Sequence, residues 1–125
     1  LLLNESQRYL GRSYVWLKRP GEMQRLSELA DNEKLELFVI MREYEMALER
    51  LWQPNHMNYA WLGNDTDIHD GHGHMHMIPR YRKLRVFAHL VYIDENWKKN
   101  YVPYEPHKPT EEVLFKIRDA LRGVI

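Results

Sequence analysis

Three histidines, His72, His74 and His76, alternate with small or apolar residues near the middle of the chain. Side chains alternate between the two faces of a β-strand, so this spacing predicts that the three imidazoles share one face. An imidazole titrates near pH 6.5, so at neutral pH it can act as a nucleophile, an acid or a hydrogen-bond donor. The pattern therefore predicts nucleophilic or acid–base chemistry on this strand.

Two other interpretations of the histidines remain open. A solvated strand face can be rich in histidine without any chemical role, although three strictly alternating rings make this the weaker interpretation. Zinc accepts imidazole nitrogens. However, the Cα atoms of His72 and His76 are about 13 Å apart in an extended strand, too far for one ion to bind all three rings. A metal site formed by two of the histidines together with His69, Asp67 or Asp70 remains open as a minor alternative.

The elements around the histidines predict an α+β fold, in which an antiparallel sheet of about five strands carries one long helix and a C-terminal helix. Strands are predicted at residues 1–3, 13–17, 56–62 and 71–78, the last ended by Pro79. Asp31 is expected to cap a helix that ends near Trp52. Thr110 is expected to cap the C-terminal helix, and residues 81–109 are expected to be irregular.

The length and composition fit a single domain that spans residues 1–125. The apolar start at residues 1–3 is expected to be the end of a strand that begins before Leu1. Eighteen Lys and Arg balance eighteen Asp and Glu, so no net field directs the protein to nucleic acid or an anionic membrane. No apolar run is long enough to span a membrane. The absence of cysteine excludes disulfides and thiolate metal sites, and it fits a reducing compartment such as the cytoplasm.

Residues 72–80, which read HGHMHMIPR, resemble the signature of the histidine triad (HIT) family of nucleotide hydrolases and transferases. The resemblance extends over most of the chain. Residues 1–4, Gly11 and residues 17–20 resemble the nucleoside-binding strand and hairpin of the family, and the helix from Asp31 resembles its main helix.

This resemblance implies nucleotidyl hydrolysis through a covalent intermediate. His74 would attack the α-phosphorus of a nucleotide, His72 would orient the strand and the His74 ring, and His76 would contact the phosphate or the departing group. Asn4 matches the residue that holds the ribose hydroxyls, although a turn-forming role is an alternative. Histidine at the third position favours the hydrolase branches of the family over the transferase branches.

The sequence departs from the family pattern at three places. Arg12 stands where the family has an upstream histidine, and its guanidinium is expected to bind a phosphate through two hydrogen bonds. Gly73 replaces an apolar residue, and it is expected either to loosen that end of the strand or to let another backbone approach. The loop before the histidines lacks the usual Gly-Gln-Ser/Thr run. Asn64 is the best candidate for a phosphate contact there, although an ordinary loop role for this residue is the favoured alternative.

The implied substrate is a purine nucleotide, either a dinucleoside polyphosphate or a nucleoside phosphoramidate. No cofactor or metal is required, although Mg²⁺ can accompany a polyphosphate. The family's two-fold symmetry implies a homodimer. The alternative function is nucleotide binding without turnover. Repair of adenylated DNA ends is disfavoured, because family members that perform it carry additional DNA-binding modules.

Two further groups of residues stand out in the sequence. The basic residues just past the histidines form either a solvated face or a surface that attracts polyphosphate or a nucleic-acid end; they are Arg80, Arg82, Lys83 and Arg85. Three other histidines have no motif around them and are expected to be structural or exposed, namely His56, His89 and His107.

Overall fold

The computed structural model describes residues 1–19, 25–64, 71–102 and 107–125. Six strands and two α-helices lie within these ranges. The strands are β1 (Leu2–Leu3), β2 (Ser13–Trp16), β3 (His56–Trp61), β4 (His74–Arg80), β5 (Arg85–Phe87) and β6 (Leu90–Tyr92). The helices are α1 (Asp31–Leu51) and α2 (Glu111–Arg122), with a short 3₁₀ turn at Leu26–Glu28.

The main sheet is antiparallel and has the strand order β1-β2-β4-β3. Strands β5 and β6 pair only with each other in the described part of the chain and form a separate two-stranded sheet. The predicted α+β class with an antiparallel sheet is confirmed. In the described residues, the predicted sheet of about five strands is corrected to one of four strands plus a separate hairpin.

Helix α1 packs against the face of the main sheet that carries Met75 and Met77 of β4. Met77 is fully buried beside Tyr44 and Leu48 of α1, and Met75 packs with Leu37 of the same helix. The other core residues come from α2 and from the segments next to the strands; they include Leu10, Trp52, Tyr81, Tyr92, Val113, Ile117 and Leu121. Because strand residues alternate, this arrangement turns the histidines of β4 away from α1.

Both helices begin close to the predicted positions. Ala30 rather than Asp31 is the N-cap of α1, and its backbone N–H donates to the Glu33 carboxylate at 2.8 Å. Arg19 also donates to Glu33, and this contact lowers the pKa of Glu33 to about 2. Thr110 is the N-cap of α2, as predicted. Neither described helix is long and apolar enough to cross a membrane.

Pro79 does not end its strand, contrary to the prediction, because β4 continues to Arg80. Proline removes one backbone donor and is tolerated where a strand lacks a partner on one side. Strand β2 pairs with β4 only from Trp16↔His74 to Ser13↔Met77, so Pro79 pairs with Met57 of β3 alone.

The hairpin β5–β6 lies within residues 81–109, which were predicted to be irregular. Its turn consists of Ala88 and His89, both with positive φ angles of 51° and 64°. Two-residue hairpin turns of this kind usually contain Asn or Gly, which tolerate a left-handed backbone. The sequence therefore carried no turn signal here.

Candidate active site

Two histidine rings lie side by side on the face of β4 that is turned away from α1. His74 is paired with Trp16 of β2, and His76 is paired with Tyr14. The centroids of the two imidazoles are 4.6 Å apart, and the Tyr14 ring lies 5.9 Å from His74 and 6.2 Å from His76. Both histidines are almost fully buried, with exposures of 2% and 5%. The structure thus brings these two histidines together as the alternation predicted.

His72 lies just before β4 rather than within it, because the strand begins at His74. The His72 Nδ1 atom is 2.8 Å from the Leu17 carbonyl oxygen, and the Trp16 indole donates to the His72 carbonyl oxygen at 3.2 Å. The prediction of three imidazoles in one strand therefore applies to two of them. The third ring, that of His72, connects the segment just before β4 to the residue that follows β2.

The backbone carbonyl of His72 determines which nitrogen of His74 carries the proton. The His74 Nδ1 atom lies 3.1 Å from that oxygen. A carbonyl oxygen can only accept a hydrogen bond, so Nδ1 must be the protonated nitrogen of the pair. In the neutral ring the lone pair then resides on Nε2. An imidazole fixed in this tautomer is prepared for nucleophilic attack through Nε2.

A cavity of about 380 Å³ opens beside the two rings. This volume is within the range of small-ligand sites, about 300–1,000 Å³. The described residues that line the cavity come from the N-terminal segment, β2, β4 and the segment before α2; they are Asn4, Glu5, Ser6, Tyr14, Trp16, His74, His76 and Lys108. We refer to this space as the histidine cavity.

Asn4 lines the histidine cavity and is held in place by the turn that follows β1. Its side-chain oxygen accepts a hydrogen bond from the Ser6 N–H at 2.8 Å, and its own N–H donates to the Arg12 carbonyl oxygen at 3.0 Å. Gln7, which is fully buried, donates to the same Arg12 oxygen at 2.8 Å. Asn4 therefore combines the turn-forming role with a position on the cavity wall.

The other two predicted nucleotide-binding residues do not line the histidine cavity. Arg12 is only 4% exposed, and its backbone braces the turn that holds Asn4. Asn64 is exposed and lies beyond the end of β3. The carboxylates and histidine considered for a metal site, Asp67, His69 and Asp70, lie outside the described residues. Gly73 is buried, and its carbonyl oxygen accepts a hydrogen bond from the Leu17 N–H at 2.9 Å.

The predicted basic surface past the histidines is divided by the fold. Arg80 is buried and forms a two-point ion pair with Asp94, at 2.6 and 3.1 Å. Arg85 donates to the carbonyl oxygen of Trp52 at 2.6 Å. Arg82 and Lys83 remain exposed, and the Arg82 guanidinium lies over the Trp97 ring. These residues therefore do not form one continuous phosphate-attracting face.

The three remaining histidines have ordinary surroundings. His56 stacks on Trp97 with their ring planes 10° apart, and His107 makes an edge contact with Tyr92. His89 is exposed in the β5–β6 turn. None of the three lines the histidine cavity.

Tyr14 is a neutral neighbour of the histidine pair. Burial raises the pKa of its hydroxyl above the usual value, and the nearby Glu5 carboxylate raises it further. The side chain is therefore a protonated phenol at neutral pH. The negative charge of Glu5, although this residue is exposed, therefore acts on the Tyr14 hydroxyl in the cavity wall.

Five residues that line the cavity were not predicted from the sequence, namely Glu5, Ser6, Tyr14, Trp16 and Lys108. The two aromatic residues occupy alternate positions in a predicted strand, so pairing that strand with β4 would have revealed them. No local signal marks Lys108, because it reaches Glu5 across 103 residues of chain. Only the folded structure brings those two side chains together.

No protein-family model matches the chain, and no curated protein matches it. Within the described ranges, no group of three or more His, Cys, Asp or Glu side chains is arranged to hold a metal ion. The chemical interpretation of the histidine cavity consequently depends on its geometry.

Proposed function

We propose that this protein is a nucleotidyl hydrolase of the histidine triad type, with the corresponding fold, that cleaves a purine nucleotide at its α-phosphate. The observation that carries the proposal is the hydrogen bond from the His74 Nδ1–H to the His72 carbonyl oxygen, which leaves Nε2 as the nucleophilic atom. The adjacent His76 and the 380 Å³ cavity supply an acid–base group and space for a nucleotide.

The first step forms a covalent nucleotidyl-histidine. The Nε2 lone pair of His74 attacks the α-phosphorus, a P–N bond forms, and the bond to the leaving group breaks. The leaving group departs with that electron pair and takes a proton from the acid form of His76. A ring centroid separation of 4.6 Å keeps His76 close to the nucleophile, as such a transfer requires.

The second step releases the nucleoside monophosphate. Water attacks the same phosphorus and gives its proton to His76, and the P–N bond to His74 breaks. The electron pair of that bond returns to Nε2, so both histidines regain their starting states. His72 acts in both steps as a positioning residue, because its carbonyl oxygen holds the His74 ring.

Asn4 is proposed to bind the ribose hydroxyls, because its side chain lines the histidine cavity. The substrate is proposed to be a dinucleoside polyphosphate or a nucleoside phosphoramidate, with no required cofactor and with Mg²⁺ accompanying only a polyphosphate. A homodimer and a cytoplasmic location belong to the same proposal. Binding to nucleic acid or to membranes is not part of the proposal.

AMP release from diadenosine tetraphosphate and from adenosine 5′-phosphoramidate tests the proposal. We expect the wild type to release AMP from at least one of them and His74→Ala to lower the rate by at least about 10³-fold. A His74→Ala variant that folds normally and keeps the wild-type rate would refute the assignment of His74.

The second candidate function is nucleotide binding without turnover. Arg12 favours it, because this residue is buried and does not line the cavity, so it does not replace the upstream histidine of the family. Calorimetric titration with AMP, combined with the hydrolysis assay, separates the two candidates. AMP binding by a protein that hydrolyses neither substrate would identify a nucleotide-binding protein.

A further inference from the structure

One ion pair lies on the wall of the histidine cavity. The Lys108 ammonium is 2.9 Å from the Glu5 carboxylate, and the two side chains are 63% and 75% exposed. Ion pairs this exposed contribute little to stability, typically about 0–1 kcal/mol. Lys108 can therefore exchange its carboxylate partner for another anion at low cost.

The backbone fixes Lys108 beside the cavity even though its side chain is exposed. The His107 carbonyl oxygen accepts a hydrogen bond from the Gln7 N–H at 2.9 Å, and the His107 N–H donates to the Ser6 hydroxyl at 3.4 Å. These contacts join the segment before α2 to the turn after β1. The segment that carries Lys108 is therefore held beside the cavity, which Lys108 lines.

The charges of this pair act within the cavity. The Glu5 carboxylate contributes to the raised pKa of Tyr14, whose ring contacts both His74 and His76. Glu5 and Lys108 are the two charged residues, other than histidine, among the described residues that line the cavity. The opposite charges of Glu5 and Lys108 therefore determine whether this part of the cavity favours an anionic or an uncharged ligand group.

We propose that Lys108 is a specificity-determining residue that binds the departing polyphosphate, exchanging Glu5 for a phosphate oxygen when substrate is bound. The inference rests on the proposed function and deepens it. A polyphosphate leaving group is strongly anionic and is stabilised by an ammonium group. The amine released from a phosphoramidate has no such charge. Lys108 therefore favours dinucleoside polyphosphates, and Glu5 opposes them.

Comparison of the two substrates tests this role. We expect Lys108→Met to lower kcat/KM for diadenosine tetraphosphate about tenfold or more while changing kcat/KM for adenosine 5′-phosphoramidate less than about twofold. Glu5→Gln should raise the value for the polyphosphate. The matched control is Lys116→Met, which removes the same charge from an exposed Lys–Glu pair on α2. Equal effects of Lys108→Met on both substrates, or no effect, would overturn the inference.

Binding of inorganic tripolyphosphate gives a readout that does not depend on turnover. Calorimetry should show weaker binding to Lys108→Met than to the wild type, and unchanged binding to Lys116→Met. If the wild type hydrolyses neither substrate, the proposed function fails, and this titration still decides the role of Lys108. Equal tripolyphosphate affinity in the wild type and Lys108→Met would overturn it.

Discussion

At the scale of single residues, the chemistry depends on how each imidazole is held. His74 donates to a backbone carbonyl, and that contact survives any substitution of the His72 side chain that leaves the backbone in place. The His72 ring itself binds the Leu17 carbonyl oxygen and so helps to maintain the backbone position. His76 lies next to His74 and faces the same cavity.

His76 is expected to act on the rate of the chemical step more than on binding. Replacing it with Asn removes the acid–base group, and we expect kcat to fall by about 10²–10⁴-fold with a smaller change in KM. Steady-state kinetics of AMP release measures both constants. The control is His89→Asn, since this exposed histidine has a positive φ angle that Asn tolerates. An unchanged kcat in His76→Asn would exclude its role in proton transfer.

Alternation along a strand was sufficient to predict that His74 and His76 share a face, because the period of two depends only on backbone geometry. It failed for His72 because β4 begins two residues later, after Gly71 with its φ of 74°. The location of a strand's first residue depends on which partner strand pairs with it. Here β2 pairs with β4 only as far as His74.

At the scale of secondary-structure elements, Gly11 sets the approach to β2. Its φ angle is 88°, its N–H donates to Gln7, and its carbonyl oxygen accepts a hydrogen bond from the Tyr44 hydroxyl. A Cβ atom at this position would lie 2.6 Å from Leu48 and 3.0 Å from Trp52. Any side chain at position 11 would therefore cause both backbone strain and steric overlap with the core.

Gly11→Ala is expected to lower the free energy of unfolding by about 2–4 kcal/mol, because it adds backbone strain to overpacking of the core. Urea unfolding followed by circular dichroism measures the change. Gly123→Ala is the control, since Gly123 has an ordinary helical backbone and its added Cβ would make only normal contacts at 3.5 Å. We expect that variant to change stability by no more than about 1 kcal/mol. Similar effects of the two substitutions would contradict this account.

The helices were predictable to within one residue at their starts because apolar periodicity and capping residues are local signals. The β5–β6 hairpin was not predictable, since neither Ala88 nor His89 is a residue type that indicates a turn with a left-handed backbone. Its position is determined by packing: Tyr92 and Phe87 belong to the core that α1 and α2 share. Such long-range contacts leave no pattern in the sequence.

At the scale of the whole molecule, a buried ion pair connects the end of β4 to the segment after β6. Arg80 binds Asp94 in two-point fashion and also donates to the Asn58 side chain at 2.7 Å and to the Lys99 carbonyl oxygen at 3.1 Å. The side chains of Arg80 and Asp94 are only 5% and 1% exposed. This network holds the segment after the hairpin against the main sheet.

Arg80→Leu should destabilise the protein by about 3–5 kcal/mol, because it leaves the Asp94 carboxylate buried without its cation. Thermal and urea unfolding test this prediction. The double variant Arg80→Leu/Asp94→Leu should recover part of the loss, since it removes both buried charges. Arg118→Leu breaks an exposed pair with Asp119 and should cost no more than about 1 kcal/mol. A single Arg80→Leu variant as stable as the wild type would contradict the structural role.

The covalent intermediate is the central claim, and intact-mass spectrometry tests it most directly. Wild-type protein and His74→Ala would be mixed briefly with diadenosine tetraphosphate or adenosine 5′-phosphoramidate and quenched without acid. We predict a wild-type species heavier by one adenylyl group and no such species in His74→Ala. An adduct of the same mass and yield in a folded His74→Ala protein would contradict the assignment of His74 as the nucleophile.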